Sequence, residues 1–475
     1  MDGPTLPGVT ARHSGRRLLD AALSARLRRG ARPVLWGDDP SAPPVVGAEI
    51  WRDATAWAER LRNAGVGAGD RVVCALPPGC AFVAVLVAAL GESWTLVPVP
   101  PAGDVDRTSA AVGARAVVAA DGAVRVGSRA GAPTPDVRLL LATSGTTGAP
   151  RRLAISESNL RVVLDTHAGP LALEGSVMLS VLPWHHAFGL VLELLPALLG
   201  GAQLVRDPSG GRDVASMLER ARAAEARGTP VTHLHAVPQT VRLLAANEGG
   251  AALLGGLRGG LVGGAPIDVG LAGALAATRM RVGYGQTEAS PGICLGAPGA
   301  WRAGVLGTPV GCAVRVDADG VLAFRGPNAC HGTWRDGSDA EPGALDVLDP
   351  DRWVRTGDLA VAERDGSYTF VGRAAESFKL ENGRYVPPLP IEAALRARYP
   401  AVHDVVLSSA DGISLVLAYA GDDVDLDADD VRPLLGTLAA RPVRIVRVEP
   451  DAWARTTKGE IDRRFPTGRP DRRSG

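Results

Sequence analysis

The sequence predicts an α/β protein. It should have a large N-terminal domain of mostly parallel sheets wrapped by helices, a β-rich subdomain, and a small α+β C-terminal domain. A rhythm that occurs twice and a later change of character support this. Between residues 50 and 125, and again between Ser176 and Gly285, short apolar runs alternate with segments of helical spacing. After about residue 300, short runs divided by Gly, Asp and Pro take over.

In the first stretch, Asp53–Ala64 has its apolar residues at helical spacing, and the glycines from Gly65 to Gly69 end that helix. Arg71–Leu76 and Thr95–Val99 are apolar runs between turn signals, hence strands, and Ala81–Leu90 is a helix apolar enough to be buried. This βαβ rhythm implies a mostly parallel sheet covered on both faces. In the second stretch, strands are expected at Val177–Leu182, Ala202–Val205 and Val231–Val237, with helices at Leu190–Leu199 and Val214–Ala224. The β-rich part should comprise Ala313–Val316, Val321–Phe324, Leu359–Arg364 and Ser367–Val371. The last hundred or so residues predict helices at Leu389–Arg398 and Asp430–Ala440 and strands at Val402–Ser408 and Ile413–Ala420. A boundary near Arg373 divides the chain into domains 1–372 and 373–475.

Composition narrows the function. The chain is 46% hydrophobic and 21% charged, as in an ordinary soluble globular protein. Basic and acidic residues balance at 51 each, so net charge argues for neither nucleic acid nor an anionic membrane as a partner. No apolar run reaches the roughly 20 residues a membrane helix needs; the run from Gly189 is broken by Glu193 and Pro196. The five cysteines are scattered, without metal-ligand spacing or a disulfide framework, which fits a reducing cytoplasm. Only two lysines occur, Lys379 and Lys458, among many arginines. A lysine in such a background suggests a place where a compact ammonium is needed rather than a planar guanidinium.

The strongest local signal follows the apolar run Leu139–Leu141: Ala142-Thr143-Ser144-Gly145-Thr146-Thr147-Gly148-Ala149-Pro150-Arg151-Arg152. Glycines let successive backbone N–H groups curl around an anion, and the hydroxyls add donors. It is not the standard P-loop, because no Gly-Lys-Ser/Thr follows. Weaker signals are Pro183-Trp184-His185-His186-Ala187-Phe188-Gly189, Tyr284-Gly285-Gln286-Thr287-Glu288, Thr356-Gly357-Asp358 and Gly372-Arg373. Taken singly, these read as packing, a turn or cap, and solvent-facing histidines.

In this order and spacing the motifs resemble those of the adenylate-forming superfamily: acyl- and aryl-CoA synthetases, peptide-synthetase adenylation domains and luciferases. The resemblance covers about residues 45–465. It implies ATP-dependent activation of a small-molecule carboxylic acid as an acyl-adenylate, with a mobile C-terminal domain. By the same resemblance, Thr143, Ser144, Gly145, Thr146, Thr147 and Gly148 hold the β- and γ-phosphates, with Arg151 where the family usually has lysine. Gly263, Gly264, Ala265 and Pro266, with Tyr284 and Gly285, enclose adenine. Thr287 meets the α-phosphate, Glu288 holds Mg²⁺, Asp358 binds the ribose hydroxyls and Arg373 sits beside the ribose. His186 stands at the mouth of the acyl pocket, for which Ala187, His235, Gly263 and Ile293 are further candidates. His233 and His235 alternate on a strand and share a face, so His235 either touches a polar group of the acid or is structural.

The chemistry accounts for these residue types. A carboxylate must attack the α-phosphorus of ATP, which brings two anions together, and cations make that approach possible. The nucleophile is already ionised at neutral pH, so no general base is needed.

Three departures stand out. The family's C-terminal lysine aligns with Glu460, while Lys458 lies two residues earlier in Arg455-Thr456-Thr457-Lys458-Gly459-Glu460-Ile461. Lys458 is expected to replace it as a catalytic residue, alongside Thr287, His186 and Arg373. The family's polar hinge residue is Ala375 here. The run Phe378–Glu392 resembles long-chain acyl-CoA synthetases, which favours an acyl or aryl acid over an amino acid. Coenzyme A is the expected acceptor, with a carrier-protein phosphopantetheine next. An amine acceptor, a small inorganic acid such as nitrite, and a nucleotide-binding homologue without turnover are the alternatives.

Overall fold

The structure is a computed structural model that describes residues 18–37, 39, 42–127, 132–143, 151–337, 343–409, 411–449 and 452–453. Ser144–Gly148, Lys458 and Glu460 lie outside the described residues. The chain forms two compact units: residues up to Ala236 with Leu243–Gly260 and Cys330–Leu348, and Val237–Arg242 with Leu261–Ala329 and Asp349 onward. The expected division at Arg373 falls inside the second unit.

The first unit holds an eight-stranded sheet, in the order Ala344–Val347, Gly332–Arg335, Arg151–Ser156, Val137–Thr143, Thr95–Pro98, Arg71–Cys74, Ala116–Val118, Val124–Val126. Its centre is parallel and its flanks are antiparallel. All four residues of Arg71–Cys74 and of Thr95–Pro98 are buried, as strands covered on both faces require. Helix Gly47–Asn63 buries Ile50, Ala54, Ala58 and Leu61, one stripe at helical spacing. Helix Cys80–Gly91 buries every residue from Phe82 to Leu90. A second set of parallel strands runs His233–Ala236, Val177–Ser180, Gln203–Arg206 and Pro33–Trp36. The helix expected at Leu190–Leu199 is instead a π-helix, Phe188–Leu194, followed by an α-helix, Leu195–Gly200. Among the described residues no helix is long and apolar enough to cross a membrane, and the five cysteines are free.

In the second unit, Leu261, Val262 and Gly263, the end of strand Gly259–Gly263, pair in parallel with strand Arg281–Tyr284, and antiparallel strands continue through Cys294–Leu295, Val305–Pro309, Tyr368–Arg373, Val354–Ala362, Val321–Arg325 and Ala313–Val316. The C-terminal part has the sheet order Val402–Ser408, Leu415–Gly421, Val443–Arg447, with helix Leu389–Arg398 packed on it through Leu395. The helix expected at Asp430–Ala440 does not form. One short α turn, Ala428–Val431, and two 3₁₀ turns, Arg432–Leu434 and Gly436–Leu438, take its place. Pro433 cannot donate to a helical ladder, and Gly436 turns left-handed at φ +53°.

One buried cation holds the first unit's central strands to their loops. Arg71 is 1% exposed; it donates to the carbonyls of Val112 (2.5 Å), Ala132 (2.7 Å) and Gly113 (3.2 Å), and its guanidinium lies 4.7 Å from the Trp334 ring centroid. Arg71→Met keeps the aliphatic stem but leaves buried acceptors without donors. It should cost about 1–3 kcal/mol, read as a lower midpoint in urea denaturation; an unchanged midpoint would mean water replaces the guanidinium freely.

Candidate active site

The second unit encloses a cavity of about 350 Å³, lined by Gly264, Ala265, Pro266, Tyr284, Gly285, Gln286, Asp358, Arg373, Glu376 and Leu389, among others. Most of the residues assigned to adenine and ribose therefore lie together on one wall system, although they are far apart in sequence. The backbone explains how they converge. Gly263 ends its strand, and Gly264 turns left-handed at φ +86°. Tyr284 ends strand Arg281–Tyr284, and a Cβ on Gly285 would stand 1.4 Å from the Pro291 carbonyl oxygen, so only glycine fits there.

Asp358 is placed by a bulge. Thr356-Gly357-Asp358 lies inside strand Val354–Ala362, whose pairing shifts between Arg355 and Leu359, around Gly357 at φ +77°. Such a bulge re-aims the following side chain. The Thr356 hydroxyl donates to the Leu322 carbonyl (2.8 Å) and accepts the Asp358 N–H (3.1 Å), which fixes the bend. Asp358 faces Arg373 across the strand pair.

The carboxylate is 3% exposed and held from two sides. The Tyr284 hydroxyl donates to Asp358 Oδ2 at 2.7 Å. Arg373 Nε lies 2.9 Å from Oδ1 as an ion pair, without the alignment of a hydrogen bond. Burial raises the Asp358 pKa, while the Tyr284 hydrogen bond and the Arg373 charge pull it down. Burial, and then the adjacent Asp358 charge, push the Tyr284 phenol well up, so it stays a donor.

Thr287 and Glu288 lie on the 3₁₀ turn Thr287–Ala289, which directly follows the cavity-lining Gln286. Glu288 is half-buried and has no hydrogen-bond or ion-pair partner among the described residues. No group of three His, Cys, Asp or Glu able to hold a metal occurs among them. A single free carboxylate suits Mg²⁺ bound mainly by phosphate oxygens and water.

In the first unit, Thr143 and Arg151 are register partners closing a strand pair, with the Thr143 hydroxyl 3.3 Å from the Arg151 carbonyl. His186 is exposed and its ring lies 4.4 Å from that of His185, while Ala187 is buried. Burial, with the His186 charge as a smaller cause, lowers His185 to about 4. His235 is fully buried against Phe188, whose ring stacks at 6.4 Å. Burial lowers it to about 3, with His233 adding to this and the Leu192 backbone opposing it. The Leu192 contact falls short of hydrogen-bond geometry, and neither ring nitrogen has a hydrogen-bond partner among the described residues. Gly263 and Ile293 belong to the second unit; Ile293 is buried there beside Cys294 and Cys312.

Several residues were not singled out from the sequence. Glu376 and Leu389 line the cavity, and their types carried no signal; Gln286 lines it too, inside a motif that gave it no role. Glu193 was visible only as a charge interrupting an apolar run. It is fully buried in the π-helix, where its Oε1 accepts from the Ser180 hydroxyl (2.6 Å) and the Trp184 indole N–H (3.1 Å).

Comparison with known proteins agrees with this geometry. The AMP-binding enzyme family profile matches residues 119–334. A probable 2-succinylbenzoate–CoA ligase of Mycobacterium tuberculosis is 31% identical over 358 residues, 72% of this chain and 86% of the relative. The chain belongs to the AMP-binding, adenylate-forming enzymes. A feruloyl-CoA synthase of Amycolatopsis sp. is 26% identical over 477 residues, covering 88% of this chain and 93% of that one. The fold matches ATP-bound MatB from Rhodopseudomonas palustris with a TM-score of 0.69 at 20% identity, covering 94% of this chain and 98% of that one. As a member of this family the protein is an AMP-forming ligase that activates a carboxylic acid as its adenylate.

Two measurements test the site. Asp358→Ala should weaken a non-hydrolysable acyl-adenylate mimic by about 1.5–3 kcal/mol in calorimetric titration, and Tyr284→Phe by less. Equal affinity for wild type and Asp358→Ala would remove the ribose assignment. The second concerns pH. Burial raises the Glu193 carboxyl from 4.5 to about 7. The folded state therefore holds this proton more tightly than the unfolded chain does. The resulting stability is full below the unfolded pKa and is lost as pH rises through about 7. Wild type should lose up to about 3 kcal/mol relative to Glu193→Gln over that window. Thermal melts in steps of pH read this, and parallel curves would contradict it.

Proposed function

We propose that the protein activates an acyl or aryl carboxylic acid with ATP, releases pyrophosphate, and passes the acyl group from the bound adenylate to the thiol of coenzyme A. The observation that carries this is the buried Asp358 carboxylate, held between Tyr284 and Arg373 on the wall of a glycine-lined cavity. Two oxygens with spare lone pairs suit the two hydroxyls of a ribose. Gly264 and Gly285 line the same cavity without side chains, on the wall assigned to the base. The names of the relatives support the acceptor, since the feruloyl-CoA synthase and the 2-succinylbenzoate–CoA ligase are both CoA ligases of acids that carry an aromatic ring. A carrier-protein phosphopantetheine offers the same thiol, but none of these relatives favours it.

The remaining roles are part of the same proposal. Thr143 and Arg151 flank the segment Ser144–Gly148, assigned to the β- and γ-phosphates. Thr287 meets the α-phosphate. Glu288 would hold Mg²⁺, which supplies charge neutralisation on the phosphates when bound. Arg373 adds a cation beside the ribose, and Lys458 would supply a compact charge to the α-phosphate and the attacking carboxylate. His186, Ala187, His235, Gly263 and Ile293 are assigned to the acid. Residues 373–475 form the mobile C-terminal domain. The five free cysteines favour a cytoplasmic setting.

Pyrophosphate release across a panel of aryl and acyl acids, with and without coenzyme A, tests the reading. Aryl acids should give release, and coenzyme A should raise turnover and yield a thioester; turnover unaffected by coenzyme A would move the acceptor to a carrier protein or an amine. Lys458→Ala should lower pyrophosphate exchange about 10²–10³-fold and Glu460→Ala only slightly. A fully active Lys458→Ala would make that lysine a bystander.

A further inference from the structure

The segment Pro183–Ala187 carries His186 but has little regular structure of its own to hold it. Its anchor lies further along the chain. Ser180 Oγ and Trp184 Nε1–H both donate to Glu193 Oε1, at 2.6 and 3.1 Å. Arg206 Nη1 donates to the Ser180 and Leu182 carbonyls, each at 3.0 Å, and to Ser180 Oγ at 3.3 Å. The same guanidinium lies 5.6 Å from the Trp184 ring centroid, and Phe82 packs against that ring at 5.7 Å. Trp184, two residues before His186, is thus held by its N–H, by Phe82 and by a cation.

The backbone is tied into the same cluster. His186 N–H donates to the Pro183 carbonyl (3.3 Å), and Leu190 N–H to the His186 carbonyl (2.9 Å). A Cβ on Gly189 would stand 2.4 Å from the Pro183 oxygen, so the helix start folds back this closely only with glycine. Glu193, Ser180, Trp184 and Arg206 are all buried. Well-packed apolar residues at such sites commonly give equal stability. What the polar cluster adds is orientation, and π-helical turns recur where function needs it.

We infer that Glu193 is a positioning residue that acts through the Trp184 indole N–H to fix the Trp184–His186 segment against the acid. Glu193 thereby sets affinity for the acid and not for ATP. This rests on the assignment of His186 to the acyl pocket made above.

The decisive variant is Trp184→Phe, which keeps an aromatic ring between Phe82 and Arg206 and removes only the N–H. With an acid that wild type activates, its KM for the acid should rise about three- to tenfold, as for one lost hydrogen bond. Its kcat and its KM for ATP should stay within about twofold. Glu193→Gln keeps the accepting oxygen and should stay near wild type. Glu193→Leu should match or exceed Trp184→Phe; if it does not fold, the other two variants carry the test. Wild-type values for Trp184→Phe, or equal rises in both KM values, overturn this inference and leave the proposed function standing. A wild type that releases pyrophosphate with no acid overturns both.

Discussion

A carboxylate that is almost wholly buried needs partners, and the candidate site of this protein is organised around one. Asp358 has little water to solvate it, so its charge depends on the Tyr284 hydroxyl and the Arg373 guanidinium. Those partners come from other strands, and the carboxylate joins them only because strand Val354–Ala362 bulges at Gly357. The three side chains thus register three strands of one sheet against one another at the edge of the cavity. A nucleotide ribose would meet an acceptor that is already oriented, and no rotamer search is needed at binding.

The cavity walls follow from the absence of side chains as much as from their presence. Gly285 lies against the Pro291 carbonyl and Gly372 against Pro387, where a Cβ would stand 2.4 Å from the proline ring. The second contact brings the start of the C-terminal part close to the strand that carries Arg373, and Leu389 and Glu376 reach the cavity from there. The small side of the site is therefore built by close backbone approach. Its polar side is built by a few residues whose charges are satisfied by one another.

Much of this was legible in the sequence, for physical reasons that differ by element. Arg71–Cys74 and Thr95–Pro98 were readable because short apolar runs between turn signals have few other uses. Helix Leu389–Arg398 was readable because its apolar face keeps helical spacing and its boundaries carry prolines. The helix expected after Asp430 failed because apolar spacing outweighed Pro433 and Gly436 in the reading, whereas the backbone obeys the breakers. The π-helix could not be read at all. Its apolar residues fit an α-helical stripe equally well, and the long-range partners of its one charged residue, Ser180 and Trp184 on Glu193, leave no mark in local spacing. Thr356-Gly357-Asp358 was read as a turn because bulge and turn use the same residues, and only strand pairing distinguishes them.

The distribution of cations connects the site to the chemistry. Adenylation joins two anions, so positive charge must be present where they meet, yet this chain supplies almost all of its positive charge as arginine. Arginine serves where a cation must pair with a buried carboxylate, as at Arg373, or where several carbonyls must be gathered, as at Arg71 and Arg206. It serves less well where one compact charge must reach two oxygens on different reactants during bond formation. That task suits a lysine, and the proposed function gives it to Lys458. Lys379, the other, lies 5.3 Å from the Tyr385 ring on the hairpin Phe378–Lys379 and Tyr385–Val386. That contact accounts for Lys379 by cation–π attraction, and Lys458 remains the lysine proposed for the reacting oxygens.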